Sequence, residues 1–417
     1  MKAVVLAAGE GRRLRPLTRD MGKGMLPVAN RPILEHVLMA LKAVDVTDIV
    51  MVVGYKKEKV MNHFGDGGDL GMNIEYRNQK FQLGTANALQ QAEDAIDGPF
   101  LMVPGDSMVT EQGLRSLMSL KEGQWGMMVT QSSNSSKYGL VEVSGDRLRT
   151  IHEKPKLTED LISTGTPSIF ALALWEYQDP VGPSLINTGT YLLDKEIFKE
   201  MAREEGKVPV LTSVLTRCAR TRDVRVKSTD RWLDAVYPFD LLTLNEGSLG
   251  EVANSSGGRV EEGVGIKGPA EIKSGAIIRA NTVIRGPVVI GEGSVIGPGS
   301  YIGANTSIGE NCSVGPFTHI KNSLIMDDAK IGSHSSIVNT VISFGSSVSD
   351  FLGVERGEYS VKLERYSFSK VLGAVIGPDC ELSHHVSLGP GVILGSSCRI
   401  GPMNSVIENL PDGARVI

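Results

Sequence analysis

The sequence predicts two parts of different class: an α/β Rossmann-like part over residues 1–250 and a parallel β-helix over residues 258–417. Three observations carry this. Apolar runs of strand length alternate with segments of helical periodicity through the first half. From about Val260 an aliphatic residue recurs every six positions, the mark of a hexapeptide solenoid. The first apolar run, 3–6, ends in Ala7-Ala8-Gly9-Glu10-Gly11 and is followed by arginines and a lysine. Strand ends of this kind are where open α/β sheets bind ligands.

Taken in order, residues 3–6 read as a buried parallel strand and 33–43 as an amphipathic helix. Strand 49–53, helix 56–64, helix 85–96 and buried strand 100–103 follow. This is the pattern of a parallel sheet with helices on both faces. In the second half the ladder runs Ile266, Ile272, Ile278, Ile284, Ile290, Ile296, Ile302, Ile308, Val314 and Ile320. After a gap it resumes at Ile376, Leu382, Leu388, Leu394, Ile400 and Val406, with an interruption read at about 344–370 as a projecting arm. Three hexapeptides per coil would stack residues eighteen apart, Cys380 on Cys398 among them.

Hydrophobic residues make up 41% of the 417-residue chain, enough for real cores. A net charge of −5, without a basic run or basic amphipathic helix, argues against a nucleic-acid or membrane-surface protein. No stretch has the length of a membrane span, and the N-terminal apolar run is too short for a signal peptide. Cys218, Cys312, Cys380 and Cys398 form no Cys-x-x-Cys pair and no metal spacing with histidine. Reduced thiols in a cytoplasmic protein are the expectation.

The glycine loop is built for phosphate. Glycines let backbone N–H groups approach oxygens, and basic side chains neutralise charge. It is not a dinucleotide fingerprint, because Leu14 stands where the third glycine should be. Nor is it a Walker A loop, because Leu17 and Gly24 stand at the required Gly and Ser/Thr positions around Lys23. Asp106, directly after a buried strand, is either a turn cap or a magnesium ligand. Asp234 precedes a helix signal at 238–245, so it is either a helix-start cap or a second ligand.

The longer string Leu6-Ala7-Ala8-Gly9-x-Gly11-x-Arg13-Leu14-x-Pro16-Leu17-Thr18, with Lys23 and Met25-Leu26-Pro27-Val28, resembles the signature of the nucleoside-diphosphate-sugar pyrophosphorylases, or sugar-1-phosphate nucleotidylyltransferases. The resemblance implies that Leu6, Ala7, Ala8, Gly9, Gln79, Gly84 and Thr85 contact the nucleotide, the last three in the segment Gln79 to Ala86. It implies that Gly139 (after Tyr138), Glu153, Lys154 and Asn187 hold the sugar phosphate. Arg13 and Lys23 would meet the triphosphate, and Asp106 and Asp234 would hold Mg2+. The substrates implied are UTP or dTTP and a sugar 1-phosphate. The family normally sets its lysine between prolines; here Gly22 and Gly24 flank it, so a looser loop is expected. A segment around 163–185, with an apolar run at 169–175, has no assigned role.

The hexapeptide region resembles the left-handed β-helix proteins, which implies a homotrimer. The fused pair resembles the archaeal bifunctional enzymes that make UDP-N-acetylglucosamine, with acetyl-CoA as cosubstrate of a second reaction. His334 stands where those enzymes carry a candidate acetyltransferase base; a polar residue at a coil corner is the other reading. Ile337 replaces the tyrosine expected three positions on, and the arm with Lys362, Arg365 and Lys370 lacks the expected asparagine. Acetyl transfer is therefore expected to be weak, altered or lost. A regulatory homologue that binds nucleotide sugars without turnover is the alternative to an active nucleotidylyltransferase.

Overall fold

The computed structural model describes residues 1–132, 138–153, 184–204, 208–363 and 366–417. They form two compact units. The first comprises Met1–Gly9, Val37–Gly105 and Val109–Trp232; the second comprises Glu10–His36, Asp106–Met108 and Leu233–Ile417. Compactness thus divides the chain differently from the change of sequence texture near residue 250.

A nine-stranded sheet is the frame of the first unit. Its strands are β1 (Lys2–Ala7), β2 (Asp48–Val53), β3 (Asn73–Asn78), β4 (Phe100–Pro104), β5 (Trp125–Ser132), β6 (Leu140–Ser144), β7 (Arg147–His152), β8 (Ser184–Leu193) and β9 (Val224–Ser228). The order is β3-β2-β1-β4-β8-β5-β9-β7-β6. Strands β1 to β4 pair in parallel, as the alternating pattern predicts. The other half departs from a purely parallel sheet. Strand β8 is antiparallel to β4 and β5, and β6 and β7 form a hairpin. The reason is connection length: only Gly145 and Asp146 separate β6 from β7, and two residues cannot make a parallel crossover. Gly145 supplies the positive φ of 63° that such a tight turn needs at its first position.

Helices α1 (Ile33–Ala43), α2 (Lys57–Phe64), α3 (Thr85–Gln90), α4 (Glu111–Met118), α5 (Glu196–Ala202), α6 (Leu211–Cys218) and α7 (Asp240–Leu249) lie near their predicted places where predictions were made. The segment 85–96 is not one helix, however: α3 stops at Gln90 and a separate 3-10 turn covers Glu93–Ala95. Buried Val4, Val50, Val52, Phe100, Met102, Trp125 and Met127 belong to one apolar core.

In the second unit the hexapeptide ladder closes into a left-handed β-helix with three parallel sheets. Ile266, Ile284, Ile302 and Ile320 stack in register. Ile284, Ile302 and Ile320 are fully buried, while Ile266, in a terminal coil, is 44% exposed. The expected interruption at 344–370 is corrected. The ladder continues through Ile325, Ile331, Ile337, Ile342, Val348 and Val354 in coils of seventeen residues. Five-residue steps after Ile320 and Ile337 hide it from a strict six-residue count. The true excursion is an antiparallel hairpin, Gly357–Leu363 with Tyr366–Leu372. Cys380 and Cys398 lie in adjacent eighteen-residue coils as free thiols, and burial pushes Cys380 up to about 12.

The glycine loop is fastened within this unit. Leu14, Leu17, Leu26 and Val28 share a core with Leu241, Leu242, Leu324, Met326 and Val341. Fully buried Asn245 of α7 accepts from the Ala29 amide at 2.9 Å and from Ser307 Oγ at 2.6 Å, and donates to the Asn305 carbonyl at 3.1 Å. A buried amide with partners this complete costs little and fixes the loop's position.

Candidate active site

In the second unit the structure brings Lys23, Asp106 and Asp234 together. Lys23 Nζ lies 2.5 Å from Asp234 Oδ1 and 3.0 Å from Asp106 Oδ2, so those two oxygens are at most 5.5 Å apart, the two distances end to end. The acids meet because Leu233–Asp234 pairs antiparallel with Ser107–Met108, with Asp234 opposite Ser107. The side chains of Lys23 and Asp234 are 12% and 14% exposed, and that of Asp106 is 40% exposed. Asp234 does not cap the following helix. The helix has no side-chain cap; Asp240, its first residue, accepts from the Val236 and Tyr237 amides of the preceding turn at 3.0 and 2.9 Å.

The electrostatics follow from burial. Desolvation works against the Lys23 ammonium, but attraction to Asp106 and Asp234 and hydrogen bonds to both outweigh it and raise its pKa. Burial also raises Asp234; Lys23 opposes the shift and Asp106 adds to it. One lysine therefore does not fully compensate two carboxylates here. A hard divalent cation fits such a pair of oxygens, and Mg2+ is usually held by one or two carboxylates plus phosphates. Among the described residues no cluster of three or more His, Cys, Asp and Glu residues is assembled for a metal.

The loop around Lys23 is tightly specified. Gly11 has φ 69°, and a Cβ there would stand 3.0 Å from Lys23 Cβ, so only glycine lets the two segments approach. Gly22 has φ −69° and ψ 154°, a conformation that proline adopts. Gly22 thus holds the backbone angles that the family's proline would impose. Of the neighbouring arginines, Arg12 and Arg15 both bind Glu10, Arg12 at 2.7 Å. Arg13 is exposed and has no acid partner among the described residues. Glu10 is a residue that sequence reading missed; by tying up its neighbours it leaves Arg13 as the available guanidinium.

In the first unit, Leu6 and Ala7 end β1, Ala8 follows it, and the Leu6 carbonyl accepts from Gly105 N at 2.9 Å. Nothing lies within 4 Å of a Cβ built on Gly9, so the space beside it is open. Gln82 Nε2 donates to the Ala8 carbonyl at 3.0 Å. Buried Gln79 donates to the Gly84 carbonyl at 3.2 Å and to Asn87 Oδ1 at 2.9 Å. Its amide nitrogen therefore braces the loop that carries Gly84 and Thr85, both exposed. Asn87 is a further residue the motif did not reveal.

The sugar candidates also gather in the first unit. The Gly139 carbonyl accepts from Asn187 N at 3.0 Å, and Glu153 Oε1 lies 3.4 Å from where a Gly139 Cβ would stand. Asn187 Nδ2 donates to the Tyr191 hydroxyl at 2.6 Å, and its Oδ1 accepts from Gly189 N at 2.8 Å. Burial first, and Glu153 next, raise the Tyr191 pKa, so it stays a neutral brace for Asn187. Tyr138 meets Trp232 edge to face at 5.1 Å. Tyr191 went unnoticed because it reads as an ordinary strand aromatic. Lys154, the segment around 163–183 and Arg365 lie outside the described residues.

His334 stands at a coil corner with φ 56°, stacked between Phe317 at 5.2 Å and Phe351 at 5.1 Å. Phe351 in turn stacks on His385 at 4.5 Å. Ile337 is buried in the prism.

The nucleotidyl transferase family matches residues 2–248. The chain belongs to that family. A second match, the GMPPB C-terminal domain, covers residues 284–374. A Methanococcus maripaludis relative named bifunctional protein GlmU is 34% identical over 422 residues, covering 98% of this chain and 95% of its own. The Methanocaldococcus jannaschii protein of the same name is 31% identical over 414 residues, covering 96% and 93%. The Haloferax volcanii UTP–glucose-1-phosphate uridylyltransferase AglF is 33% identical over 259 residues, covering 58% of this chain and 93% of its own. A Bacillus anthracis structure assigned as a glucose-1-phosphate thymidylyltransferase, in complex with sucrose, superposes with a TM-score of 0.51 at 24% identity, covering 61% of this chain and 97% of that one. As a member of the nucleotidyl transferase family, the chain is an enzyme of group transfer. Among the described residues no helix is long and apolar enough to cross a membrane.

Proposed function

We propose that the protein is a sugar-1-phosphate nucleotidylyltransferase, transferring UMP or dTMP from UTP or dTTP to a hexose 1-phosphate such as glucose 1-phosphate or N-acetylglucosamine 1-phosphate. The observation that carries this reading is Lys23 held between Asp106 and Asp234, beside a loop in which Arg13 has no acid partner among the described residues. An oxygen of the sugar 1-phosphate attacks the α-phosphorus in line, the bond to the β-phosphate breaks, and pyrophosphate leaves. Arg13 and Lys23 neutralise the triphosphate and the leaving group, and this pre-placed charge is the main catalytic resource for phosphoryl chemistry. Asp106 and Asp234 would hold Mg2+, which would supply further charge neutralisation for the phosphates. Gln79, Gly84 and Thr85 read the base, and Gly139, Glu153, Lys154 and Asn187 hold the sugar phosphate. The proline-like backbone at Gly22 and the completed charge cluster favour an active enzyme over a regulatory homologue.

The decisive experiment is a matrix of UTP and dTTP against several sugar 1-phosphates with Mg2+, read by pyrophosphate release. Release with one pair names the substrates. Thermal stabilisation by a UDP-sugar with no release for any pair would move the protein to the regulatory reading. The metal is tested separately: Mg2+ should raise the melting temperature of the wild type but not of Asp234→Asn.

The same reading extends to assembly and to the β-helix. A homotrimer through the prism is supported by an exposed aliphatic residue on its side, Val283. Light scattering that gives a stable monomer at micromolar concentration would refute it. The stacked position of His334 and the burial of Ile337 favour a corner role over a base role, so acetyl transfer is weak, altered or lost. Glucosamine 1-phosphate and acetyl-CoA, followed by free thiol release, test this; robust release abolished in His334→Ala would make the enzyme bifunctional.

A further inference from the structure

The strongest unassigned feature is a cavity of about 360 Å³ in the first unit, lined by four arginines. Arg147 and Arg149 come from β7, and Arg220 and Arg222 from the loop after α6. Leu148 and Val224 contribute apolar wall. We propose that this cavity is a second anion site, which takes a small molecule bearing a diphosphate group.

The argument starts from the strand. Along a regular strand neighbouring side chains point to opposite faces, yet Arg147, Leu148 and Arg149 all line one cavity. A register shift between Leu148 and Thr150 explains it: Leu148 pairs with Val143 and Thr150 with Glu142, so Arg149 is the extra residue of a bulge. Bulges re-aim single side chains and occur next to functional sites.

The charges are incompletely answered within the protein. Asp223 lies 3.2 Å from Arg147 but is shared with Arg225 at 2.8 Å. Arg222 meets Asp194 and Glu196 only at 3.8 and 3.9 Å, and sits 4.6 Å over the Trp125 ring. Arg149 and Arg220 have no acid within 4 Å among the described residues. A structural role at the end of α6 does not account for the loop arginines. The last carbonyls of that helix are already taken by backbone amides: Leu215 O by Ala219 N at 2.9 Å, and Cys218 O by Arg222 N at 2.8 Å. Two cavity arginines without a carboxylate among the described residues, Arg149 and Arg220, beside two that are only partly answered, suit phosphate oxygens, which guanidinium groups bind in a forked, two-point geometry. Arginines brought in by two separate elements suit an anion with oxygens at both ends, as a diphosphate has. The cavity is of a size that holds small ligands.

This site stands apart from the proposed nucleotidyl transfer, since none of its residues has a role there. The test is therefore a local one. Arginines are modified with phenylglyoxal without Mg2+, and each modified peptide is quantified with inorganic pyrophosphate, ADP, orthophosphate or an oligoribonucleotide present. Pyrophosphate or ADP should protect Arg149 and Arg220 at least fivefold, with Arg115, paired to Glu111 at 2.8 Å, unaffected. The more effective of the two identifies the source of the diphosphate. Arg149→Gln and Arg220→Gln should each weaken pyrophosphate binding at this site about tenfold without lowering the melting temperature. Equal protection by orthophosphate, protection only by the oligoribonucleotide, or no protection by either diphosphate would each overturn the proposal.

Discussion

Around Lys23 three charged side chains meet at 2.5 and 3.0 Å, while along the prism Ile284, Ile302 and Ile320 stack as one aliphatic column. Both regions belong to the second unit, and both are largely shielded from water. They are specified in opposite ways. The charged cluster joins Lys23 to Asp234, 211 positions away, through opposite charges. The column repeats one residue type, and each coil needs only its two neighbours. Charges are gathered where burial opposes them, and aliphatic side chains where burial is unopposed.

The largest effect that would sharpen this contrast is on turnover. Asp106→Asn should lower pyrophosphate release by roughly 10²–10³-fold, the scale of losing one charge-stabilising group. Its melting curve should stay within a degree or two of wild type. Equal loss of stability would blur the distinction, and unchanged turnover would remove Asp106 from the mechanism.

The reverse case is the prism. Ile302→Ala deletes a fully buried side chain in mid-column and should cost about 2–5 kcal/mol in urea denaturation. Ile266→Ala, at the exposed end of the same column, should cost under about 1 kcal/mol. Nucleotidyl transfer by either folded variant should match wild type. Similar costs at the two positions would contradict the nearest-neighbour picture.

A third measurement concerns pH. The raised pKa of Lys23 means the folded state holds its proton more tightly than the unfolded chain does. That stabilisation is complete below the ordinary lysine value of about 10.4 and is lost as pH rises through the folded pKa. Wild type should therefore keep its advantage over Lys23→Met up to about pH 10 and lose it progressively as the pH rises further. Asp234, raised by burial, adds a term that is present below its ordinary range and lost as pH climbs through its folded pKa. Parallel pH curves for wild type and Lys23→Met would show that the cluster is not formed in solution.

The smallest effect concerns the loop. Gly22 already has a proline's φ, so Gly22→Pro should raise stability by about 0.4–1 kcal/mol through a more restricted unfolded chain. A fall would mean that the Gly22 amide is needed in the folded state.

Much of this was legible from the residues. Asp106 and Asp234 stand beside strand ends, and their chemistry requires a partner charge, so their meeting could be anticipated. The six-residue ladder announced the prism because one interior position per hexapeptide must be aliphatic. What escaped depended on distance or on phase. Glu10, Asn87 and Tyr191 act by holding a functional neighbour, and no local pattern marks a holder. The seventeen-residue coils escaped because five-residue steps at Ile325 and Ile342 each shift the later aliphatics by one. The arginine cavity was invisible because it needs a bulge in one element and a loop some seventy residues later.

The hairpin of Gly357–Leu363 and Tyr366–Leu372 leaves the prism and returns without disturbing it. Ile342 still pairs with Ile376, and Val354 with Leu388, across an interval of thirty-four residues in place of seventeen. The scaffold therefore counts turns and is indifferent to chain length at this corner. Each doubling of a flexible connection costs only about 0.6 kcal/mol of closure entropy. The corner is thus a natural splice point, where a foreign peptide or a small folded domain could replace the hairpin and be carried on a rigid rod with its register intact.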